Sequence, residues 1–181
     1  MFSIIAACSL NGGIGKDNTI PWYIPEDFHH FKNVTSCCPN GFMNAVIMGK
    51  NTWLSLPFKP LPKRFNIVVS KTLKLETKHK ENKDIFVVAS FDEAIQLIAT
   101  MKNIFKTFVI GGNGLYLEAL QHLGCNKVYI THVLRNIECD VFFPMHILFK
   151  DYPICTEGSI QTCNNLYYTF CTYERNHIIK I

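Results

Sequence analysis

No apolar run in this chain approaches the ~18 residues that a membrane-crossing helix needs, so a helical span is excluded. No basic leader precedes the apolar start Phe2-Ser-Ile-Ile-Ala-Ala-Cys8, which reads as a buried first strand and not as an export signal. A soluble, cytoplasmic protein is expected. Metal signatures are missing too: there is no CxxC pair and no HExxH spacing, and the neighbours His29 and His30 point to different sides of a helix. No metal is assigned. Neither a Walker lysine–hydroxyl pair nor the Rossmann glycine pattern occurs, and no repeat, low-complexity tract or linker divides residues 1–181, which read as one domain. Charged residues are sparse, at 18% with a net charge of +4 and a pI of about 8.6. That balance suits small polyanions, phosphorylated cofactors or multiply carboxylated substrates, and is too weak for nucleic acid. The most basic stretch, Lys71 to Lys83, is interleaved with Glu76 and Glu81 and holds no aromatics, so it reads as a solvated connection between two strands.

Apolar residues, at 48%, are plentiful, and 181 residues suffice to bury about 70% of the unfolded surface without staples. The eight cysteines, scattered through apolar segments, therefore read as free thiols. Short β-branched runs alternate with helical patterns. Strands are expected at Phe2–Cys8, Ala45–Met48, Asn66–Ser70, Ile85–Val88, Thr107–Ile110 and Lys127–Val133, and helices at Glu26–Thr35, near Thr52, at Phe91–Thr100 and at Gly114–Leu123. Continuous runs such as Ile67-Val-Val and Phe108-Val-Ile suit parallel strands covered on both faces, hence an α/β sheet. Two last runs, Tyr152–Cys155 and Tyr167–Arg175, have no helix between them and suggest an antiparallel hairpin at one edge.

Three strand ends carry phosphate-compatible chemistry. Phe108-Val-Ile-Gly-Gly-Asn-Gly-Leu-Tyr116 packs a buried strand, a glycine turn and a helix start into nine residues, either to present N–H groups to phosphate or simply to pack closely. Met48-Gly-Lys-Asn-Thr-Trp53 is a second such junction, where Thr52 caps its helix or bonds phosphate, capping being the simpler reading. Lys50 and the pair Ser70-Lys71 can together hold a phosphate monoester. Asn11-Gly-Gly-Ile-Gly-Lys-Asp-Asn18 is long and apolar enough, with Ile14, Ile20 and Trp22, to read as a segment that closes over something. Arg64 can grip a carboxylate bidentately or stay solvated, and Thr131 satisfies its hydroxyl on backbone unless it faces Asp27.

Asp27 is the residue that most needs explaining. On a helix opened by Pro25 it shares a stripe with Phe28, Phe31 and Val34, one charge among apolar groups. It is either a helix-dipole residue of the first turn or the anchor of a cationic ligand with several donors.

In their order along the chain these segments resemble the dihydrofolate reductase family: Ile5-Ala-Ala7, Ile14-Gly15, Pro21-Trp22, Pro25 with Asp27, Phe31, Met48-Gly49 then Thr52-Trp53, Leu61 with Arg64, Gly111-Gly112 with Tyr116, Thr131-His132, Asp140 with Phe142-Phe143-Pro144, and Tyr168-Thr-Phe. Only Met145 to Leu166 carries little signal. The resemblance implies a central, mostly parallel, mixed sheet of eight strands flanked by about four helices. It implies NADPH-dependent reduction of dihydrofolate by a monomer open to antifolate inhibitors. Asp27, Trp22 and Thr131 would be catalytic. Ile5, Phe28, Phe31, Leu56, Leu61, Arg64 and Ile110 would hold the substrate with Asp27 and Thr131. Ala7, Ile14, Gly15, Lys16, Asn18, Lys50, Asn51, Thr52, Ser70, Lys71, Gly111, Gly112, Asn113, Gly114, Leu115 and Tyr116 would line the cofactor. The chain departs from the family pattern at Lys63, where glycine usually precedes the arginine, and at Lys50, usually arginine. Two rivals share much of this reading: a same-fold reductase acting on a pyrimidine intermediate of riboflavin synthesis, which has no need of Asp27 with Arg64, and an idle nucleotide-binding module.

Overall fold

A computed structural model describes residues 1–76, 79 and 81–176, so part of the expected Lys71–Lys83 connection lies outside the described residues. One sheet organises the chain. Its strands follow the order β10 (Gln161–Cys163), β11 (Leu166–Glu174), β7 (Cys125–Val133), β1 (Phe2–Ser9), β6 (Ile104–Val109), β3 (Met43–Gly49), β4 (Arg64–Val69) and β5 (Ile85–Val88), with β9 (Ile154–Glu157) as a branch on β11. All pairs from β7 to β5 are parallel, and β11 runs antiparallel to β7, β9 and β10. The expected eight-strand path and antiparallel C-terminal edge are therefore present, with β9 as a ninth strand.

Period-two alternation divides the side chains between two faces. Ile4, Ala6 and Cys8 of β1 join Ala45, Ile47, Ile67 and Val109 in one core, beneath α3 (Phe91–Thr100), α4 (Asn113–Gln121) and α5 (Met145–Asp151). Ile5, Val46, Met48, Val68 and Phe108 face the other way, against Phe31 and Val34 of α1 (Pro25–Ser36) and Trp53 of α2 (Lys50–Ser55). Five helices are described instead of about four, because α5 lies in the stretch after Pro144 where the sequence pattern is weak. A two-stranded ribbon of β2 (Gly13–Gly15) and β8 (Val141–Phe142) completes the described elements; both strands are too short for an alternation to show. Among the described residues no helix is long and apolar enough to cross a membrane.

Candidate active site

Parallel strands β1, β3, β4 and β6 end on the same edge of the sheet, the side where ligands bind in open α/β folds. α1 packs on the sheet face that carries Ile5, Val46 and Phe108, and its last turn reaches Asn44 and Arg64 near the starts of β3 and β4. Pro25 takes its first position, where a missing N–H leaves nothing unpaired, and Glu26 and Asp27 fill its first turn, where the positive helix terminus favours carboxylates. No side chain caps the helix.

Asp27 faces inward. The Thr131 hydroxyl, buried on β7, donates to Asp27 Oδ1 at 2.6 Å. Burial pushes the carboxyl above its ordinary 3.8, and the Thr131 bond works in the opposite direction. Thr131 thus holds one oxygen, and among the described residues no hydrogen bond is made to the other. Ile5, Phe31, Leu56, Leu61 and Ile110 share a single apolar cluster beside it. Phe28 is outside that cluster, half-exposed against the Tyr23 ring at 5.9 Å. Trp22 is buried with Ile24, Val133 and Tyr168, Ala7 packing at the margin, and its Nε1–H has no hydrogen-bond partner in the described protein. That makes it a donor for a ligand or solvent molecule.

Arg64 proves buried, not solvated. Its Nε donates to Pro62 O at 3.1 Å and Nη1 to Thr35 Oγ1 at 2.7 Å, while the guanidinium carbon sits 5.9 Å from the Phe31 ring centroid. Thr35, the far-end residue of α1 that orients it, escaped the sequence reading: a single threonine late in a polar helix gives no signal.

The glycine turn after β6 fits a phosphate cradle. Gly111 has φ +114, and a Cβ there would come within 3.0 Å of the Tyr116 hydroxyl, which itself donates to Ile5 O at 3.1 Å. A Cβ on Gly112 would stand 3.6 Å from Thr52 Oγ1. The first N–H to bond within α4 is that of Tyr116, onto Gly112 O, so the preceding amides of Asn113, Gly114 and Leu115 are open to an anion. Leu115 and Tyr116 are themselves core side chains and offer a ligand only backbone.

Thr52 does not cap α2, contrary to the simpler expectation: Gly49 stands at the cap and the helix starts at Lys50, three positions earlier than a threonine cap requires. Its hydroxyl faces the glycine turn instead. Lys50 Nζ donates to Thr72 Oγ1 at 3.2 Å, and Ser70 Oγ accepts the Thr72 and Leu73 amides. Asn51 and Lys71 are exposed beside them.

The Gly12 to Asn18 segment is strapped down. Gly13 and Gly15 pair with Phe142 and Val141, Asp17 N donates to Asp140 Oδ2 at 2.9 Å, and Lys16 bridges Glu138 at 2.7 Å. Ile14 packs onto the helix-covered core, and Asn18 is exposed at φ 60. Glu138 and Cys139 were missed, since a pairing across more than a hundred residues leaves no local trace.

A family model described as dihydrofolate reductase matches residues 1–175. The chain belongs to the dihydrofolate reductase family. It is 37% identical over 185 residues to a dihydrofolate reductase of Schistosoma mansoni, covering 95% of each chain. Against that of Heliothis virescens it is 33% identical over 180 residues, covering 96% of each. With the bifunctional dihydrofolate reductase-thymidylate synthase of Daucus carota it shares 36% identity over 186 residues, 96% of this chain and 34% of the relative. The chain spans about a third of the length of the bifunctional relatives it matches. Lys63, read from the sequence as a departure from the pattern it resembles, has φ 59, the left-handed conformation that glycine adopts without strain.

Proposed function

We propose that this chain reduces 7,8-dihydrofolate to 5,6,7,8-tetrahydrofolate with NADPH. The observation that carries this is the raised, half-buried carboxyl of Asp27, held by Thr131 against an apolar wall. Such a group suits a flat heterocycle that offers two adjacent N–H donors, the pterin N3 and 2-amino group. The chemistry that NADPH brings when bound is a hydride for C6 of the pterin. Asp27 fixes the orientation of the ring and, as the carboxyl lying against it, sets the protonation state in which N5 takes its proton. Ile5, Phe31, Leu56, Leu61 and Ile110 exclude water from the two faces, and the strapped segment from Gly12 to Trp22 closes the third side. The outer edge of Arg64 takes the glutamate carboxylate of the substrate. Asn113, Gly114 and Leu115 offer amides to the pyrophosphate, with Thr52 beside them, and Lys50, Ser70 and Lys71 offer charge and hydroxyl to the 2′-phosphate.

Antifolates with the same paired donors bind the same cleft. The protein acts as a monomer of one domain in the cytoplasm. Mixing it with NADPH and dihydrofolate depletes the absorbance of the reduced nicotinamide; a flat trace from folded protein rejects the assignment. Substituting the pyrimidine substrate of the riboflavin-pathway reductase gives no depletion.

A further inference from the structure

On the sheet face that carries α3 to α5, away from the cleft, a set of sulfur and ring side chains takes no part in the chemistry proposed above. β9 lies on β11 in a register that sets Cys155 opposite Tyr173 and Glu157 opposite Cys171. Alternation along the two strands therefore puts Cys155, Cys171 and Tyr173 on one face. Cys155 is exposed and Cys171 buried, and Cys155 lies near enough to the Cys171 thiol and the Tyr173 hydroxyl to raise the pKa of both. Tyr173 continues inward to His132 Nε2 at 2.8 Å, whose Nδ1 is 3.6 Å from the buried Cys8 sulfur.

We propose that Cys155 and Cys171 form a reversible disulfide on exposure to hydrogen peroxide, making this edge of the sheet a redox modification site. Cys155, the thiol that solvent reaches, attacks the O–O bond: one oxygen stays on its sulfur as a sulfenic acid, and the other leaves as water with the thiol proton. Cys171 sulfur then attacks the Cys155 sulfur. The S–S bond forms, the S–O bond breaks, and the hydroxyl leaves with the Cys171 proton as a second water. Two thiols have lost two electrons and the peroxide has gained them. Burial pushes the Cys171 thiol up to about 11, which keeps it protonated and the less reactive of the two towards the oxidant, so it reacts through its position beside Cys155 and not through an activated thiolate.

The geometry also makes the bond easy to reverse. Diagonal neighbours on antiparallel strands have Cα atoms ~7–8 Å apart, somewhat beyond the ~4.4–6.8 Å that an unstrained disulfide spans. β9, already paired with β11, must therefore shift along it, and the resulting strain leaves the bond readily reducible. β9 has the freedom to do so, being exposed along its length and hydrogen-bonded to β11 alone.

The experiment is peptide mapping by mass spectrometry of the full chain after treatment with equimolar hydrogen peroxide. The expected result is one linked peptide pair joining Cys155 to Cys171, two hydrogens lighter than the separate peptides and released by dithiothreitol. In Cys171→Ser, Cys155 runs on to the sulfinic acid. In Cys155→Ser, an exposed position that should not disturb folding, Cys171 stays a thiol. A wild-type protein in which Cys155 becomes sulfinic acid without any link to Cys171, or links to another cysteine, overturns the proposal.

Discussion

At the scale of the residue, Asp27 costs stability at the place where, on the proposed reading, it serves chemistry. Its folded pKa lies above the unfolded value, so the native state keeps a proton that the unfolded chain releases. The resulting stabilisation is complete below about the ordinary value of 3.8 and is lost as pH rises through the folded value. Ligand-free Asp27→Asn, which cannot ionise, should therefore melt higher than wild type at neutral pH, with the difference fading in acid; thermal melts across pH measure this. The same variant should lose roughly 10²–10⁴-fold in kcat at neutral pH while keeping its affinity for NADPH. Equal turnover would remove Asp27 from the mechanism. Lys63 carries a cost of another kind. Its side chain is exposed and its backbone is left-handed, so Lys63→Gly should stabilise by up to about 1 kcal/mol in urea unfolding, with no change in KM.

Secondary-structure elements set where such residues meet. The β2–β8 ribbon leaves no room for a side chain at Gly13: a Cβ there would fall 2.4 Å from Cys139 Sγ and 2.9 Å from Ser9 Oγ. Gly13→Ala should open the ribbon and lower kcat much more than global stability, read by steady-state kinetics beside a thermal melt. At the start of α2, Lys50 stands beside Ser70, Lys71 and Thr72. Lys50→Ala should weaken NADPH far more than NADH, since only NADPH has the extra phosphate; equal weakening would displace that pocket. The long periodic elements were legible from sequence: β5 and α3 have the expected bounds, and β1, β4, β7 and α1 differ by one or two residues. β2, β8 and β10 were not, because two or three residues show no period, and β2 and β8 also pair across more than a hundred positions. The Thr52 reading failed because a glycine at the end of a strand can start a helix without any side-chain acceptor.

Over the whole molecule, strand order does what no local pattern reveals. Thr131 reaches Asp27 across 104 positions because β7 and β1 lie side by side and α1 packs on the face of the same sheet. Sequence supplied the alternatives for Thr131, backbone or carboxylate, and only the topology chose between them. Arg64 shows the same limit: its chemistry was legible, but its burial was not, since Thr35 and Pro62 come together only when β4 forms beside β3.

That tether has a further consequence. Asp27 and Thr35 stand eight positions apart on one helix, a separation of about 12 Å at 1.5 Å per residue. On the proposed reading the heterocycle loads one end of α1 and the carboxylate tail loads the other, through the guanidinium that Thr35 anchors. The helix is then a ruler: compounds whose ring and acid are spaced to its length engage both ends, and shorter ones must forfeit one grip.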